Sequence, residues 1–200
     1  MLKTLNGIRL IRFEPELHSK ILYHWYYSGD YPEFYRNHPV CPSLAEVANS
    51  ALGKAFMILK VDDSSIIGCI MHFAEKEFAR NFEAGCLIDK TVQNNGYGIT
   101  ALKILLDWKF NNCNLFKVKV NVVYNNKRVV KIVEDFGMIL EGVNKKEDFY
   151  DAEFHDVAVY AMFKMAFNKR YKNEFEPQEA RLGTQQLREF SNVRVLASAV

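Results

Sequence analysis

No run in this chain comes near the ~18 consecutive apolar residues that a membrane-spanning helix requires, although 49% of its 200 residues are hydrophobic. The apolar residues are dispersed instead, which directs them to the core of a globular domain. The opening MLKTLNGIRLIRF lacks the apolar run of a secretory signal, so a cytoplasmic location is expected. An excess of one charge is missing too. The 26 basic and 24 acidic side chains leave a formal +2 with no polybasic run, so neither a nucleic acid nor a membrane surface is an expected partner. The cysteines Cys41, Cys69, Cys86 and Cys113 contain no C-x-x-C pair, a pattern that suits neither a zinc site nor a disulfide framework. Reduced thiols and no metal are expected. No composition break divides the chain, which reads as one domain with an added tail.

Periodicity supplies the elements. Ile8 to Phe13 read as a strand, and HSKILYHWYYSG as a helix that stops at Gly29. YPEFYRNHPVCPS carries Pro32, Pro39 and Pro42 and reads as a loop. Ser43 with Glu46 three residues on forms a capping box ahead of a short helix, LAEVANSAL. AFMILKV, IIGCIMHFA and NFEAGCLID then give the signal of an antiparallel meander. A mostly buried helix is expected over Ile99 to Phe110, a strand in FKVKVNVVY, a helix in NKRVVKIVEDF closed by Gly137, and strands from Met138 to about Gly142 and Asp156 to Phe163. The charged stretch NKKEDFYDAE lies between these last two or extends them. The order is β α α β β β α β α β β, an α+β arrangement.

The third strand of the meander runs into QNNGYGITALKIL, residues 93–105. Two glycines one residue apart, followed at once by a helical pattern, gather free backbone N–H groups at a helix N-terminus, where an anion is favoured. Gly96, Gly98 and Ala101 match the G-x-G-x-x-A dinucleotide fingerprint. That fold, however, needs the loop after the first strand of a parallel βαβ unit and an acidic residue roughly 20 positions on. Here the loop follows a meander, and the next strand ends in Tyr124 and Asn125. A Walker loop is excluded by the absence of Gly-Lys-Ser/Thr. A glycine turn that merely starts a helix is the other reading left open.

Q-N-N-G-Y-G in this element order resembles the GNAT N-acetyltransferases, whose pyrophosphate loop has the form Gln/Arg-x-x-Gly-x-Gly/Ala, with Gln93, Gly96 and Gly98 at its defining positions. IRLIRF, SSIIGCIMHF, Asn126 eleven residues before Gly137, and HDVAVYAMF extend the resemblance over about residues 8–167, closest to the ribosomal-protein N-terminal acetyltransferase branch. It implies a GNAT fold: a mixed, mostly antiparallel sheet flanked by helices, with a pantetheine splay between central strands, Gly85 to Ile88 and Lys117 to Val123. It implies acetyl-CoA as co-substrate and a primary amine, such as a protein N-terminus, as acceptor. The loop from Gln93 through Asn94, Asn95, Gly96, Tyr97 and Gly98 to Ile99 would hold the pyrophosphate. An amide at Leu87 or Ile88 would polarise the thioester carbonyl, and Asn126 would touch the cofactor or cap the following helix.

Direct transfer needs a base for the amine and an acid for the thiolate. Val133 stands where many family members have the acid tyrosine, so Tyr124 and Tyr160 are the substitutes. Glu83, a carboxylate in the strand leading to the loop, is either the base or a paired glutamate. Asp156 orients substrate or pairs with a basic neighbour. His72 and His155 read as packed or exposed histidines, and Cys86 as a small buried residue near the thioester channel. The resemblance divides the chain into a catalytic domain, 1–167, and an extension, 168–200, whose apolar residues would pack back or dock on a twin subunit or assembly partner. The rival to an enzyme is a noncatalytic member using the fold as a binding or structural part, for instance in a phage particle. The acceptor pocket would fall to residues 31–42 and 144–153.

Overall fold

The computed structural model describes residues 2–27, 43–76, 78–150 and 152–175. The loop expected at 31–42 and most of the extension, from 176 on, lie outside the described residues.

Among the described residues, seven strands form one sheet in the order β1-β2-β3-β4-β5-β7-β6. They are β1 (Ile8–Arg12), β2 (Ala55–Lys60), β3 (Ile66–Lys76), β4 (Asn81–Ile88), β5 (Lys117–Val123), β6 (Ile139–Tyr150) and β7 (Glu153–Phe163). The helices are α1 (Pro15–Tyr27), α2 (Leu44–Ala51), α3 (Tyr97–Asn111), α4 (Lys127–Asp135) and α5 (Lys164–Tyr171). The expected order therefore holds through β7, as does the mixed, mostly antiparallel sheet. The capping box of α2 forms, with the Glu46 N–H donating to Ser43 Oγ at 3.3 Å and the Ser43 N–H donating to Glu46 Oε2 at 2.6 Å. The charged stretch after Gly142 extends β6, pairing with β7 across a bulge between Asn144 and Asp148.

β2 and the first half of β3 are covered on both faces, which explains their nearly continuous apolar character, whereas β4 alternates buried and half-buried residues. Met57, Cys69 and Leu87 are cross-strand partners and so share a face. They form a core with Phe13, Leu22 and Trp25 of the first turn and helix and with Val47 and Ala51 of α2. The opposite face receives α3: Phe82 meets Phe110 edge-on with centroids 6.2 Å apart, and Phe56 meets Trp108 at 5.5 Å. Thr100, Asp107 and Lys109 of α3 are buried with its apolar residues. Asp107 is satisfied there by Lys3 at 3.2 Å and by Asn111.

Residues up to Lys164 form one compact unit, and those from Met165 belong to a second. Within the second, the ring of Phe167 lies 5.5 Å from that of Tyr171 and 6.3 Å from that of Phe175.

Candidate active site

The site is built on the one parallel contact of the sheet among the described residues. β4 and β5 pair only at Asn81, Phe82 and Glu83 with Lys117, Val118 and Lys119. Beyond Glu83 and Lys119 the two strands lose register, leaving Ala84–Ile88 on one arm and Val120–Val123 on the other without a shared ladder. An interior ladder that stops leaves backbone groups to be satisfied by something else.

Register on the other side of β4 identifies those groups. The Asp89 N–H donates to the Ile67 carbonyl at 2.8 Å, and Ile88, Leu87 and Cys86 stand opposite Gly68, Cys69 and Ile70. Strand alternation then turns the amide of Leu87 toward β3 and those of Ile88 and Cys86 toward the gap. The Ile88 carbonyl faces the gap as well, where it accepts a hydrogen bond from Gln93 Nε2 at 3.0 Å. Of the two amides considered for polarising a carbonyl, Ile88 therefore has the suitable orientation. The Leu87 amide belongs to the β3 ladder, and its side chain to the α1–α2 core.

The glycine loop caps the open end. Asp89 starts it: one carboxylate oxygen accepts from the Thr91 N–H and Oγ1, at 2.9 and 2.6 Å, and the other from the Trp25 indole at 2.9 Å. Burial is the largest single effect and raises its pKa, but these bonds and the neighbouring His24 together outweigh it and hold the pKa below the usual carboxylate value. The Asn95 amide bonds the Val92 and Gln93 carbonyls. Asn94 and Gly96 are both left-handed, with φ of 68° and 76°. For Gly96 that conformation is the reason for glycine, since a Cβ there would meet nothing within 4 Å. Gly96 is the N-cap of α3 and lends no side chain, and the first intrahelical bond is that of Thr100 N–H to the Gly96 carbonyl. The amides of Tyr97, Gly98 and Ile99 precede that bond and form an anion-seeking cluster. Gly98 lies over β4, where a Cβ would stand 3.4 Å from Ile88 and 3.7 Å from the Cys86 sulfur. Burial pushes the Cys86 thiol far above its ordinary pKa, which suits a packed residue and not a nucleophile.

At the fork, Glu83 Oε1 pairs with Lys119 Nζ at 2.7 Å and Oε2 accepts from Asn121 Nδ2 at 3.2 Å. Glu83 shares the sheet face of Gly85 and Leu87, opposite to α3. On the α3 face, Tyr160 is buried and donates to Glu134 Oε1 of α4 at 2.8 Å. Burial and that carboxylate push its pKa up to about 12, which makes it a structural phenol and a poor proton donor. Tyr124 is exposed, with Lys127 Nζ 4.3 Å from its ring centre. Val133 is buried in α4. Asn126 caps α4, its Oδ1 accepting from the Val129 N–H at 3.2 Å. Asp156 pairs with Lys145 Nζ at 2.7 Å and the Lys146 N–H at 3.0 Å, and these hold its pKa below the usual value.

His72 sits on β3, outside this gap. It packs on Phe56 and Trp108 and faces Glu75 at 3.5 Å, and burial followed by Lys109 lowers its pKa, so it is neutral at pH 7. His155 lies on β7 opposite Asp148. Sequence reasoning passed over Arg128, whose guanidinium donates to Gln93 Oε1 at 3.0 Å and to Asn94 Oδ1 at 2.9 Å. The available signal was the start of α4, where Lys127 and Arg128 place cations in a first turn that carries no acid, the end of the helix that disfavours them.

The fold has known counterparts. A spermidine N(1)-acetyltransferase of Vibrio cholerae is 27% identical over 93 residues, 46% of this chain and 54% of that protein. The chain's alignment thus spans about half the length of that curated relative. A crystal structure of the Vibrio cholerae spermidine N-acetyltransferase in complex with CoA and spermine superposes with a TM-score of 0.72 at 18% identity, covering 80% of this chain and 98% of that one. A dodecameric structure of the enzyme from the same organism gives 0.69 at 20%, covering 82% and 98%. These are likenesses of fold. The sequence pattern of the acetyltransferase (GNAT) domain matches residues 10–139, which include the whole gap, the glycine loop and the capped α4. The chain belongs to the GNAT acetyltransferase family.

Proposed function

We propose that this protein is an acetyl-CoA-dependent N-acetyltransferase acting on a primary amine. The observation that carries the reading is the separation of β4 from β5 after Glu83 and Lys119, with the free amides of α3 at its open end. A pantetheine arm is an extended chain of amides, which fits between two strands that have stopped bonding one another. The phosphates of CoA fit at Tyr97, Gly98 and Ile99.

In this reading the acceptor nitrogen attacks the thioester carbonyl from the Glu83 side. The carbonyl oxygen gains charge facing the Ile88 amide, which is worth more there than in water. The tetrahedral species then collapses, the C–S bond breaks, and the thiolate takes a proton. Glu83 receives the proton lost by the amine, directly or through water, after exchanging part of its Lys119 and Asn121 bonding. Tyr124 is the exposed phenol available to the leaving sulfur. Asn126 acts through α4, by holding the N-terminal turn of that helix.

The acceptor named for the relatives is spermidine, so aliphatic polyamines are the first class to test, and the α-amine of a peptide is the second. Thiol release from acetyl-CoA over a panel of spermidine, simple alkylamines and peptides tests the activity. Turnover with any of them supports transfer to amines and ranks the acceptors. Tight acetyl-CoA binding without turnover on the whole panel favours the noncatalytic alternative, for which the buried Val133 in the tyrosine position is the specific observation.

A further inference from the structure

We infer that Arg128 is the cationic contact for the diphosphate of the acyl carrier, reaching it across the mouth of the gap between β4 and β5. The inference rests on the acyl-CoA reading above. Gln93 and Asn94 follow β4, and Arg128 follows β5 on the second residue of α4. These are the two arms that diverge after Glu83 and Lys119. The bonds from Arg128 to Gln93 Oε1 and Asn94 Oδ1 therefore tie the arms together where the gap opens.

Three features make this more than a structural tie. Both acceptors are uncharged amide oxygens, so they orient the guanidinium without neutralising it. A guanidinium has five N–H donors in a planar fork, and these two bonds leave the remaining ones for a further acceptor. The cation also stands at a helix end whose dipole opposes it, with Lys127 beside it and no acid in the first turn. An anion between Arg128 and the amides of Tyr97, Gly98 and Ile99 would answer both the helix N-terminus of α3 and the charge at α4. A diphosphate, with negative oxygens on two linked centres, can engage the amides with one phosphate and the arginine fork with the other. Gln93 serves both arms, since its Nε2 occupies the Ile88 carbonyl while its Oε1 holds Arg128.

The test compares acetyl-CoA, its analogue lacking the 3′-phosphate, and acetyl-pantetheine, which has no phosphate, on the wild-type protein and on Arg128→Ala, Arg128→Gln and Arg128→Lys. Arg128→Ala and Arg128→Gln are expected to weaken acetyl-CoA and its 3′-dephospho analogue about tenfold or more, and to leave acetyl-pantetheine unchanged. Arg128→Lys should fall between, because an ammonium keeps the charge but not the fork. Arg128→Gln retains an amide for the loop, so it separates loss of charge from loss of the tie. Equal acetyl-CoA affinity in Arg128→Gln and wild type overturns the inference. So does a loss that vanishes with the 3′-dephospho analogue, which would assign Arg128 to the 3′-phosphate, or a loss that persists with acetyl-pantetheine, which would make the residue structural. A wild-type protein that binds none of the three compounds refutes the acyl-CoA reading and this inference with it.

Discussion

Gly98 offers the cleanest separation of binding from folding in the loop. Both glycines of QNNGYG would block close approach of an anion if replaced by valine, but they differ in what the fold requires of them. Gly96 has φ 76°, so Gly96→Val forces a β-branched residue into the left-handed region at a cost of about 1–2 kcal/mol. In a chain of this size each kcal/mol lowers the melting temperature by roughly 2–4 °C, and lost affinity could then be lost structure. Gly98 lies inside α3, and its added Cβ would find Ile88 at 3.4 Å and Cys86 at 3.7 Å, ordinary contact distances. Helix propensity favours valine over glycine by a few tenths of a kcal/mol, which offsets minor crowding by the γ-carbons. Gly98→Val is therefore expected to melt within a few degrees of wild type. Its affinity for acetyl-CoA should drop at least about tenfold, 1.4 kcal/mol, because the side chain enters the space where the loop amides approach their ligand. Calorimetry with acetyl-CoA measures the affinity and a thermal melt the stability. A folded Gly98→Val that binds acetyl-CoA as tightly as wild type would falsify the assignment of these amides to the cofactor.

Glu83→Gln keeps the Asn121 contact in shape and removes the charge, so it is expected to lose about a hundredfold or more in turnover while binding acetyl-CoA normally. Normal turnover would leave Glu83 as a structural partner of Lys119 and Asn121. Gly68→Ala drives a Cβ into the Leu87 carbonyl oxygen and to 3.1 Å from Ile88 Cα, both backbone atoms, and is expected to cost about 1–3 kcal/mol. A denaturation midpoint equal to that of wild type would contradict the close β3–β4 approach. The pKa of Tyr160, about 12 when folded against an ordinary 10.0, means that the unfolded chain releases the phenol proton first. Its contribution to stability is intact below pH 10 and is lost as pH rises toward 12. Tyr160→Phe should flatten this alkaline limb of the stability profile, and an unchanged limb would show that other groups produce it.

The two kinds of information met at different places along the chain. The capping box at Ser43 and Glu46 and the alternation of Val118, Val120 and Val122 were readable directly, as was the glycine pair before α3, because each depends on residues within a few positions of one another. Adding these local signals in order was enough to identify the family. The same logic weakened at β6, where the charged residues from Lys145 to Asp148 lack an apolar alternation and are held in the strand by the β7 pairing on either side of their bulge, Asn144 with Val157 and Asp148 with His155. Asn126 shows a signal with two meanings, and the geometry displays the helix cap.

What the sequence by itself determined was the order of the elements and the chemistry of the loop, since helical and strand periods and glycine's backbone freedom are properties of neighbouring residues. Only the tertiary structure decided that β4 and β5 part after Glu83 and Lys119, that the Ile88 amide and not that of Leu87 faces the gap, and that Arg128 joins the two arms. Alternation tells which residues share a face of a strand but not which strand lies alongside or where their pairing ends. Glu83 meets Lys119 across 36 positions and Arg128 meets Gln93 across 35, contacts that exist only because the sheet and the helices packed on it close those long loops.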